Sequence, residues 1–446
     1  MPGGTTERDF GILEVFFCLL SPISYLLPVP PPRRILLVDA DAFFVAIARM
    51  ADPEGAGRAP LLIVGGSAAG RGVVTSASYE ARQFGVRSGM PMARAVRLCP
   101  RATWAPVPRG LCSQKSREIR GVLERMAPVV AGASIDEWYV DLAGTETLYG
   151  DEPLAVTAGR LRDAVLAATG LSVSVGGGTS RLVAKLAVER AKPKPGTDGT
   201  GVFVVPPGGE EAFLATLALA DLPGVGPKLQ ARLARMGLER VPDVLAADDA
   251  ALVRLVGGRA AGWLRDRCRG IDVSPVRGRE RAKSISRDDT FPRDLHEPAE
   301  LERELWRLVV RAAGDLRQAG FEARTITVRI RDADFTTRQA SRTLAEPVTS
   351  ERVIGAVAIE LLTKLRRARR VGARLLGVGL SGFGDEGAAV QLPLFDGGAT
   401  PAAASAPPEG ERERALVRTV DELRRRFGAD AIVPGSLAVR RKKPSP

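Results

Sequence analysis

Short apolar runs with the length and composition of β-strands, separated by stretches of helical spacing, limit the folds open to this chain more than any other feature. Helical stretches begin near Ser78, around residue 113 and around residue 153, and they fall between the strand-like runs. The mixture predicts an α+β sheet domain that carries a smaller inserted subdomain. The runs are "RILLVDADAFF", "PLLIVGG", "SIDEWYVDL" and "LSVSVGGG".

The rest of the chain divides into a helical block and a second α+β block. Residues 211–275 have helical spacing, punctuated by "LPGVGPK" and "GGRA". Predicted helices at 297–319 and 350–370 then alternate with the strands "TITVRIR" and "LLGVGLSGF", which favours a split βαβ arrangement. With 446 residues the chain is too long for a single core, so several domains are expected.

Charge and rare residue types restrict the chemistry. Lys and Arg number 64 against 52 Asp and Glu, and this net charge of +12 favours a polyanionic partner such as nucleic acid. The four cysteines have no Cys-x-x-Cys spacing, which argues against zinc and disulfides and fits a reducing cytoplasm. His296 is the only histidine, so a catalytic His base or a His-rich metal site is almost excluded.

An apolar stretch near the start, "FGILEVFFCLLSPISYLLPVPPP", is interrupted by Glu14 and Pro22. It is too broken for a membrane-spanning helix, and the single Arg8 ahead of it is a weak flank for a signal peptide. Residues 1–32 are therefore expected to be a disordered extension or the product of a start site assigned too early. No membrane association is expected.

Two acidic clusters lie at the ends of strand-like runs. Asp136 and Glu137 are adjacent in "SIDEWYVDL", where neighbouring strand residues face opposite sides unless a hairpin tip reorients them. Asp39 and Asp41 close the run "ILLVDADAFF". Either cluster alone is compatible with a solvated strand end. Together they supply the three or more carboxylates that a pair of Mg²⁺ ions needs when substrate phosphates complete the coordination.

Candidate phosphate-binding groups accompany these acids. Tyr79 and Arg82 are three residues apart and share a helix face, with Arg87 beyond them. Lys192 and Lys194 follow a predicted helix in "RAKPKPG". Each alone is compatible with surface charge, but around a magnesium triphosphate they would act as charge clamps.

The segment "LADLPGVGPKLQARLARMGLERVPDV" resembles a helix-hairpin-helix. Gly224 and Gly226, followed by Lys228, permit a tight turn whose backbone N–H groups can hold a DNA phosphate without reading sequence. An ordinary glycine-rich helix connection is the alternative. Two basic stretches, "VRGRERAKSISR" and "KLRRARRVGAR", favour further DNA backbone contacts. Their candidate residues are Lys283, Arg287, Arg366 and Arg367.

The ordered motifs "VDADAFF", "VVTSASYEARQFGVRSGMP", "SIDEWYVDL", "VSVGGGTSRLVAKLAVERAKP", "LPGVGPK" and "KSIS" resemble the Y-family translesion DNA polymerases of the DNA polymerase IV type. The resemblance covers residues 33–384. It implies an α+β multidomain right-hand polymerase that inserts deoxynucleotides opposite damaged or distorted template bases with low fidelity. The implied domains are the palm (33–43 and 108–199), fingers (44–107), thumb (200–276), basic linker (277–287), little finger (288–384) and flexible tail (385–446).

The same resemblance implies the metal site. Asp39, Asp136 and Glu137 would bind two Mg²⁺ ions, with the main-chain carbonyl of Ala40 as a further ligand. Asp41 corresponds to a family acid that is not a metal ligand, so it is given a structural role.

The nucleotide site is implied in the same way. Phe44 corresponds to the steric gate, whose ring occupies the space that a ribose 2′-hydroxyl would need. The other implied nucleotide contacts are Phe43, Ser76, Tyr79, Arg82 and Lys192.

Three positions depart from the family pattern. Ala48 stands where the family usually has Glu, Ser180-Arg181 replaces the usual Asn-Lys, and a common tyrosine is absent around Leu111. None removes a metal ligand, so the departures bear on the nucleotide pocket and on fidelity.

The tail contains one apolar island, "QLPLFD" at 391–396, which resembles the peptide that docks bacterial polymerases on the sliding clamp. Gln391 would hydrogen-bond at the mouth of a pocket that Leu394 and Phe395 fill, with Leu392 beside them. The expected partners are thus primer-template DNA, deoxynucleoside triphosphates and the clamp, for a protein expected to be a cytoplasmic monomer.

Two other functions remain open at this point. A palm-fold nucleotidyl cyclase shares paired acids on a similar sheet, but the helix-hairpin-helix and basic stretches argue against it. A non-catalytic, DNA-bound accessory paralogue would lack the acids. Because Asp39, Asp136 and Glu137 are all present, a catalytic polymerase is favoured.

Overall fold

The computed structural model describes residues 32–193, 199–278, 281–384, 409–428, 431–433 and 435–437. The strands in these residues are β1 (Ile35–Ala40), β2 (Leu62–Gly65), β3 (Val74–Ala77), β4 (Thr103–Ala105), β5 (Val129–Gly132), β6 (Glu137–Asp141), β7 (Val173–Gly178), β8 (Val202–Val204), β9 (Ser284–Leu295), β10 (Ala323–Asp332), β11 (Thr337–Val348) and β12 (Ala373–Phe383).

The α-helices in the same residues alternate with these strands. They are α1 (Phe43–Ala51), α2 (Tyr79–Gln83), α3 (Met92–Leu98), α4 (Arg109–Met126), α5 (Leu154–Thr169), α6 (Arg181–Ala191), α7 (Glu210–Ala215), α8 (Pro227–Ala234), α9 (Val241–Ala246), α10 (Asp249–Val256), α11 (Gly258–Cys268), α12 (Pro298–Gln318), α13 (Glu351–Ala368) and α14 (Glu411–Phe427). No helix among the described residues combines the length and apolar character needed to span a bilayer.

The described chain divides into two compact units. The first contains the chain up to Ala40 together with Glu118–Val276, and its centre is a five-stranded sheet in the order β5-β6-β1-β7-β8. Strand β1 lies between two antiparallel neighbours, and every one of its six residues is buried. Burial on both faces explains why β1 is a continuous apolar run rather than an alternating one.

Helix α6 packs unusually close to β7 because the strand ends in three glycines. A Cβ on Gly176 would lie 2.1 Å from the backbone nitrogen of Val188 and 2.4 Å from the carbonyl oxygen of Ala184. Only glycine therefore allows this strand and this helix to approach so closely. The close contact between β7 and α6 fixes the position of the helix, and so of its exposed side chains, relative to the sheet.

Helices α7 to α11 of the first unit form a compact bundle around a core of leucine and valine side chains. Gly224 has a φ of +97°, and a Cβ there would lie 2.7 Å from the Trp263 ring. Gly226 precedes α8, and Pro227 occupies the first turn of that helix, where its missing N–H costs nothing. The predicted glycine turn thus leads directly into a helix N-terminus.

The second unit contains Asp41–Arg117 and the described chain from Arg277 onward. Its smaller part is a three-stranded sheet in the order β3-β2-β4, with α1, α2 and α3 around it. Its larger part is an antiparallel four-stranded sheet in the order β11-β10-β12-β9. Helices α12 and α13 cover one face of that sheet and supply most of its apolar core.

One boundary and one strand differ from the sequence expectation in this larger part. Strand β9 begins at Ser284, so the last residues of the predicted basic linker 277–287, including Arg287, belong to the sheet. Only Phe291 and Leu295 of β9 are buried, which is why its sequence shows no strand alternation. Strand β11 was missed for the same reason, since most of its side chains are polar.

The expected flexible tail over 385–446 is wrong for α14, which docks on the four-stranded sheet domain through ion pairs. Arg317 donates from Nε and Nη2 to the Asp421 carboxylate at 2.6 and 2.7 Å, and Glu351 accepts from Arg317 at 3.1 Å. Glu351 also pairs with Arg424, and Glu413 pairs with Arg352. The same face also carries the half-buried Val417, Val420 and Leu423 at helical spacing, a local signal that the Gly-, Ala- and Pro-rich composition of the preceding tail obscures. The predicted clamp peptide, Gln391 to Phe395, lies outside the described residues, as do residues 1–31.

Asp421→Ala is expected to lower the free energy of unfolding by about 1 to 3 kcal/mol, because it removes two hydrogen bonds from an Arg317 side chain that is only 10% exposed. The matched control is Glu422→Ala, which breaks a pair with Arg425 in which both side chains are exposed. That variant should change stability by less than about 0.5 kcal/mol. Denaturant unfolding of the full chain measures both, and equal effects would mean that α14 contributes nothing through Asp421.

Candidate active site

The end of β1 and the hairpin between β5 and β6 bring the predicted acids together. In the antiparallel register Asp39 lies opposite Glu137. The backbone N–H of Ala40 donates to the carbonyl of Asp136 at 2.9 Å, which extends the pairing into the hairpin turn. The hairpin itself is closed by Ala133, whose N–H donates to the Glu137 carbonyl at 2.8 Å. Asp136 thus lies in the hairpin turn, and Glu137 begins β6.

Two lysines of the α6 region complete a cluster of four charges. Lys192, the residue that follows α6, places Nζ 2.9 Å from Asp39 Oδ2 and donates to Glu189 Oε1 at 2.6 Å. Lys185 donates from Nζ to Glu137 Oε1. Each acid of the facing pair thus has its own lysine.

Burial dominates the electrostatics of Asp39, which is only 5% exposed. Burial raises the pKa of its carboxyl to about 7, although the charge of Lys192 opposes part of that rise. Burial also acts to lower the pKa of Lys192, but the charges of Asp39 and Glu189 outweigh it and raise that pKa. A buried carboxylate next to a second carboxylate is a place where a cation is stabilised.

Asp136 behaves differently from the other two acids. Its carboxylate accepts from the Ser134 hydroxyl within the turn, and its own N–H donates to Ser134 Oγ at 3.2 Å. Across the described ranges, no three acidic, histidine or cysteine side chains come together as a complete metal-binding group. The structure therefore brings Asp39 and Glu137 together and leaves the side chain of Asp136 on its own turn.

The residues present fit a divalent cation with oxygen ligands. Asp39 and Glu137 offer hard carboxylate oxygens from directly opposite strand positions. Mg²⁺ is commonly held by one or two carboxylates, with substrate phosphates and water completing the octahedron. The buried Asp39 carboxylate beside a second carboxylate is the observation that carries this fit, since two facing acids concentrate negative charge where a cation is stabilised.

The predicted nucleotide contacts of the second unit form a group of their own. Arg82 donates from Nε to the Ala77 carbonyl at 2.9 Å, and its Nη2 lies 3.5 Å from Ser76 Oγ. Its guanidinium carbon lies 4.9 Å from the centre of the Tyr79 ring. Phe43 and Phe44 start α1 with their rings in an edge-to-face contact at 5.4 Å.

The positions that depart from the family pattern are occupied by well-packed residues. Ser180 caps α6 by accepting from the Val183 N–H at 3.2 Å and donates to the Gly270 carbonyl at 3.1 Å. The Arg181 guanidinium lies 4.3 Å from the centre of the Tyr139 ring. Ala48 is buried within α1. The contacts of Ser180 and Arg181 hold α6 against the helical bundle and the sheet.

Lys185 is a site residue that the sequence did not single out. The available signal was its spacing, because Lys185 precedes Lys192 by seven residues, which is close to two helical turns. Two cations at that interval on one helix lie on the same face.

The predicted DNA-contacting cations divide into free and engaged groups. Lys228, Lys283 and Arg367 are exposed. Arg287 instead donates to Asp315 Oδ2 at 2.5 Å, and Arg366 donates to the Val371 carbonyl. The exposed three are the better candidates for phosphate contacts.

The uncovered face of the four-stranded sheet is polar. Small and hydroxylated side chains dominate it, and Thr325 and Thr327 of β10 hydrogen-bond to Thr343 and Ser341 of β11 at 2.9 Å. Arg329 adds a positive charge on this face, 3.6 Å from Asp288. A surface of this kind can approach a phosphate backbone closely.

Comparison with known proteins identifies the chain's relatives. Residues 38–189 match the impB/mucB/samB family, and residues 282–394 match the impB/mucB/samB family C-terminal domain. DNA polymerase IV of Dehalococcoides mccartyi (strain CBDB1) is 36% identical over 403 residues, which cover 90% of this chain and 97% of the relative. DNA polymerase IV of Caulobacter vibrioides is 36% identical over 400 residues, which cover 89% and 92%.

Solved structures with a similar fold are also DNA polymerases. The Y-family DNA polymerase chimera Dbh-Dpo4(243-245)-Dbh is similar with a TM-score of 0.69 at 25% identity, covering 78% of this chain and 99% of that one. An insertion ternary complex of Dbh DNA polymerase matches with a TM-score of 0.55 at 25% identity, covering 78% and 98%. The α+β multidomain right-hand polymerase fold is thereby confirmed. The chain belongs to the impB/mucB/samB family, the Y-family of DNA polymerases, together with the DNA polymerases IV.

Proposed function

We propose that this Y-family DNA polymerase extends a primer opposite damaged or distorted template bases, with low fidelity, by two-metal-ion nucleotidyl transfer. The observation that carries the proposal is the facing pair of Asp39 and Glu137 at the end of a buried strand, each matched by a lysine. A buried Asp39 beside a partly buried Glu137 has no structural advantage over apolar side chains, since buried charges usually cost stability.

The proposed chemistry assigns a role to each group of this site. Mg²⁺ ions held by Asp39 and Glu137, with Asp136 and the Ala40 carbonyl as further ligands, would lower the pKa of the primer 3′-hydroxyl and neutralise the leaving pyrophosphate. Lys192 is proposed to exchange its contact with Asp39 for a triphosphate oxygen. Ser76, Tyr79 and Arg82 are proposed to hold the triphosphate, for which the Arg82 fork is suited.

We assign the domains as a further part of the proposal. The five-stranded sheet is the palm, the three-stranded sheet with its helices the fingers, the bundle α7 to α11 the thumb and the four-stranded sheet the little finger. The Gly224 turn with Lys228 is proposed to hold a DNA phosphate in the thumb. Lys283 and Arg367 are proposed to contact the DNA backbone from the little finger, and Arg287 and Arg366 would do so by exchanging their contacts with Asp315 and Val371 for phosphate.

The proposed partners are primer-template DNA, deoxynucleoside triphosphates and a sliding clamp bound through Gln391, Leu392, Leu394 and Phe395. The enzyme is proposed to work as a monomer in the cytoplasm, where its DNA substrate lies. The clamp proposal rests on the peptide sequence alone.

Primer extension with the purified full chain tests the function. With Mg²⁺, a primed template and all four deoxynucleotides, the protein should extend the primer and should also insert opposite an abasic or alkylated template base. An accessory paralogue would bind the same DNA without extending it. A nucleotidyl cyclase would convert a nucleoside triphosphate to a cyclic product without any template.

The steric gate is testable by substitution. Phe44→Val removes most of the ring while keeping a β-branched apolar residue, so a ribose 2′-hydroxyl should fit. The preference for deoxynucleotides over ribonucleotides is expected to fall by about tenfold or more, because exclusion depends on occupied space. Single-nucleotide insertion with dCTP and CTP opposite guanine measures the ratio. Phe43→Val serves as the comparison, and an unchanged ratio for Phe44→Val would assign the gate elsewhere.

A further inference from the structure

Helix α6 and the residue that follows it place two lysines against two different acids of one site. Lys192 contacts Asp39, and Lys185, two turns earlier, contacts Glu137. The side chains of Lys185 and Glu137 are 29% and 25% exposed, so their pair is partly shielded from water. Surface ion pairs contribute little on average, but shielding strengthens the attraction.

The position of Lys185 is determined by rigid contacts rather than by a mobile surface. The neighbouring residue Ala184 lies in the core with Leu37 of β1, and the carbonyl of Ala184 faces Gly176 of β7. The cap at Ser180 fixes the start of the helix one turn before Lys185. These contacts fix the backbone of Lys185, and the ion pair with Glu137 then holds its ammonium group.

Glu137 needs such a partner. Asp39 and Glu137 face each other across the strand pair, and like charges at opposite positions repel. A glutamate has three side-chain torsions, so without a partner its carboxylate would turn toward solvent and lose the orientation required of a ligand. The ammonium of Lys185 offsets that repulsion before any metal is present.

We propose that Lys185 is a positioning residue that holds the Glu137 carboxylate toward Asp39 and acts as a substitute cation until a divalent metal ion binds. The proposal rests on the proposed function, since it assigns Glu137 as a metal ligand. Two opposite consequences follow. Lys185 orients the ligand, which favours catalysis, and its positive charge opposes the incoming metal, which weakens metal binding in the absence of DNA and nucleotide.

These consequences give a distinctive prediction for Lys185→Met, which keeps the aliphatic stem and removes the charge. The full-length variant is expected to bind Mn²⁺ about three- to tenfold more tightly than the wild type without DNA or nucleotide, because a unit charge close to a divalent ion is felt strongly at an effective dielectric constant of about 20. At saturating Mg²⁺ its kcat for single-nucleotide insertion is expected to fall about tenfold. Free Mn²⁺ measured by electron paramagnetic resonance gives the binding constant.

Two further variants separate positioning from simple structural damage. Lys185→Arg retains a cation and should restore kcat to within about threefold of the wild type, since guanidinium also pairs with carboxylate. Arg190→Met makes the same charge change on an exposed residue of α6 that bonds to Thr216, and it should leave both Mn²⁺ affinity and kcat unchanged.

The measurements test the role of Lys185 independently of the proposed polymerase function. Unchanged or weaker Mn²⁺ binding by Lys185→Met overturns it, as does a kcat loss that Lys185→Arg fails to reverse. If the wild-type protein extends no primer, the proposed function fails, while the Mn²⁺ measurement still shows whether Lys185 competes with a metal at Glu137.

Discussion

Asp39→Asn is expected to reduce primer extension by roughly 10³-fold or more, while affinity for primer-template DNA stays within about threefold of the wild type. The substitution keeps the shape of the side chain and removes the charge from a buried position at the end of β1. Loss of a metal ligand costs several kcal/mol of transition-state stabilisation, and each 1.4 kcal/mol corresponds to about tenfold in rate. DNA affinity should persist because it comes from phosphate contacts elsewhere.

The matched control is Asp141→Asn. Asp141 lies on β6 opposite Ile35, at the other end of the same strand pair, where it forms an ion pair with Arg33 at 3.4 Å. It should retain most of the extension activity. Extension is measured on a primed template with Mg²⁺, and DNA binding by fluorescence anisotropy. If Asp39→Asn kept a tenth or more of wild-type activity, Asp39 would not be a catalytic metal ligand.

Gly176→Val is expected to lower the free energy of unfolding by about 3 kcal/mol or more. The new side chain would meet backbone atoms of α6 at 2.1 and 2.4 Å, and backbone cannot move aside as a flexible side chain can. Overpacking of a well-packed core typically costs about 1 to 3 kcal/mol and occasionally more. Because the clash here is with backbone atoms, the loss should be at or above the upper end of that range. Because α6 carries Lys185 and leads into Lys192, any variant that still folds should also lose activity.

Thermal unfolding of the full chain measures this effect, with Gly159→Ala as the control. Gly159 lies inside α5, and an added Cβ would meet nothing within 4 Å. Alanine in a helix interior is favoured over glycine by roughly 0.5 to 1 kcal/mol, so this control should be neutral or slightly stabilising. A Gly176→Val protein as stable as the wild type would mean that α6 can shift away from β7 at no cost.

Lys185 and Asp136 show the limits of reading a site from motifs. Asp136 and Glu137 are equivalent as letters in "SIDEWYVDL", yet only Glu137 faces Asp39, while Asp136 bonds to Ser134 in its own turn. Lys185 lies inside the motif "VSVGGGTSRLVAKLAVERAKP" without being singled out there as a site residue, yet it contacts Glu137. Spacing along a chain predicts which residues share a face, but it does not predict which atoms meet across two elements.

Helix α14 shows a second limit. Its segment is rich in Arg and Glu, and such composition usually indicates a solvated chain. The helix docks because Asp421, Arg424 and Glu413 find partners in Arg317, Glu351 and Arg352, which are 60 or more residues earlier in the chain. The half-buried Val417, Val420 and Leu423 have helical spacing and so indicate a helix, but no local pattern reveals which distant charges that helix pairs with.

Local patterns predicted β1, β2, β6, β7, β10 and β12, several of the helices between them, and the acids at the end of β1 and the start of β6, while β9 and β11 were missed. They succeed because burial and backbone geometry act over a few residues, and the apolar run of β1, the glycines of β7 and the cap at Ser180 all depend on such short-range rules. The pairing of Asp39 with Glu137 and Lys192, the contact of Lys185 and the docking of α14 were decided by tertiary structure. The physical reason is that charge interactions depend on distances between atoms far apart in the chain, and those distances exist only once the strands and helices have packed.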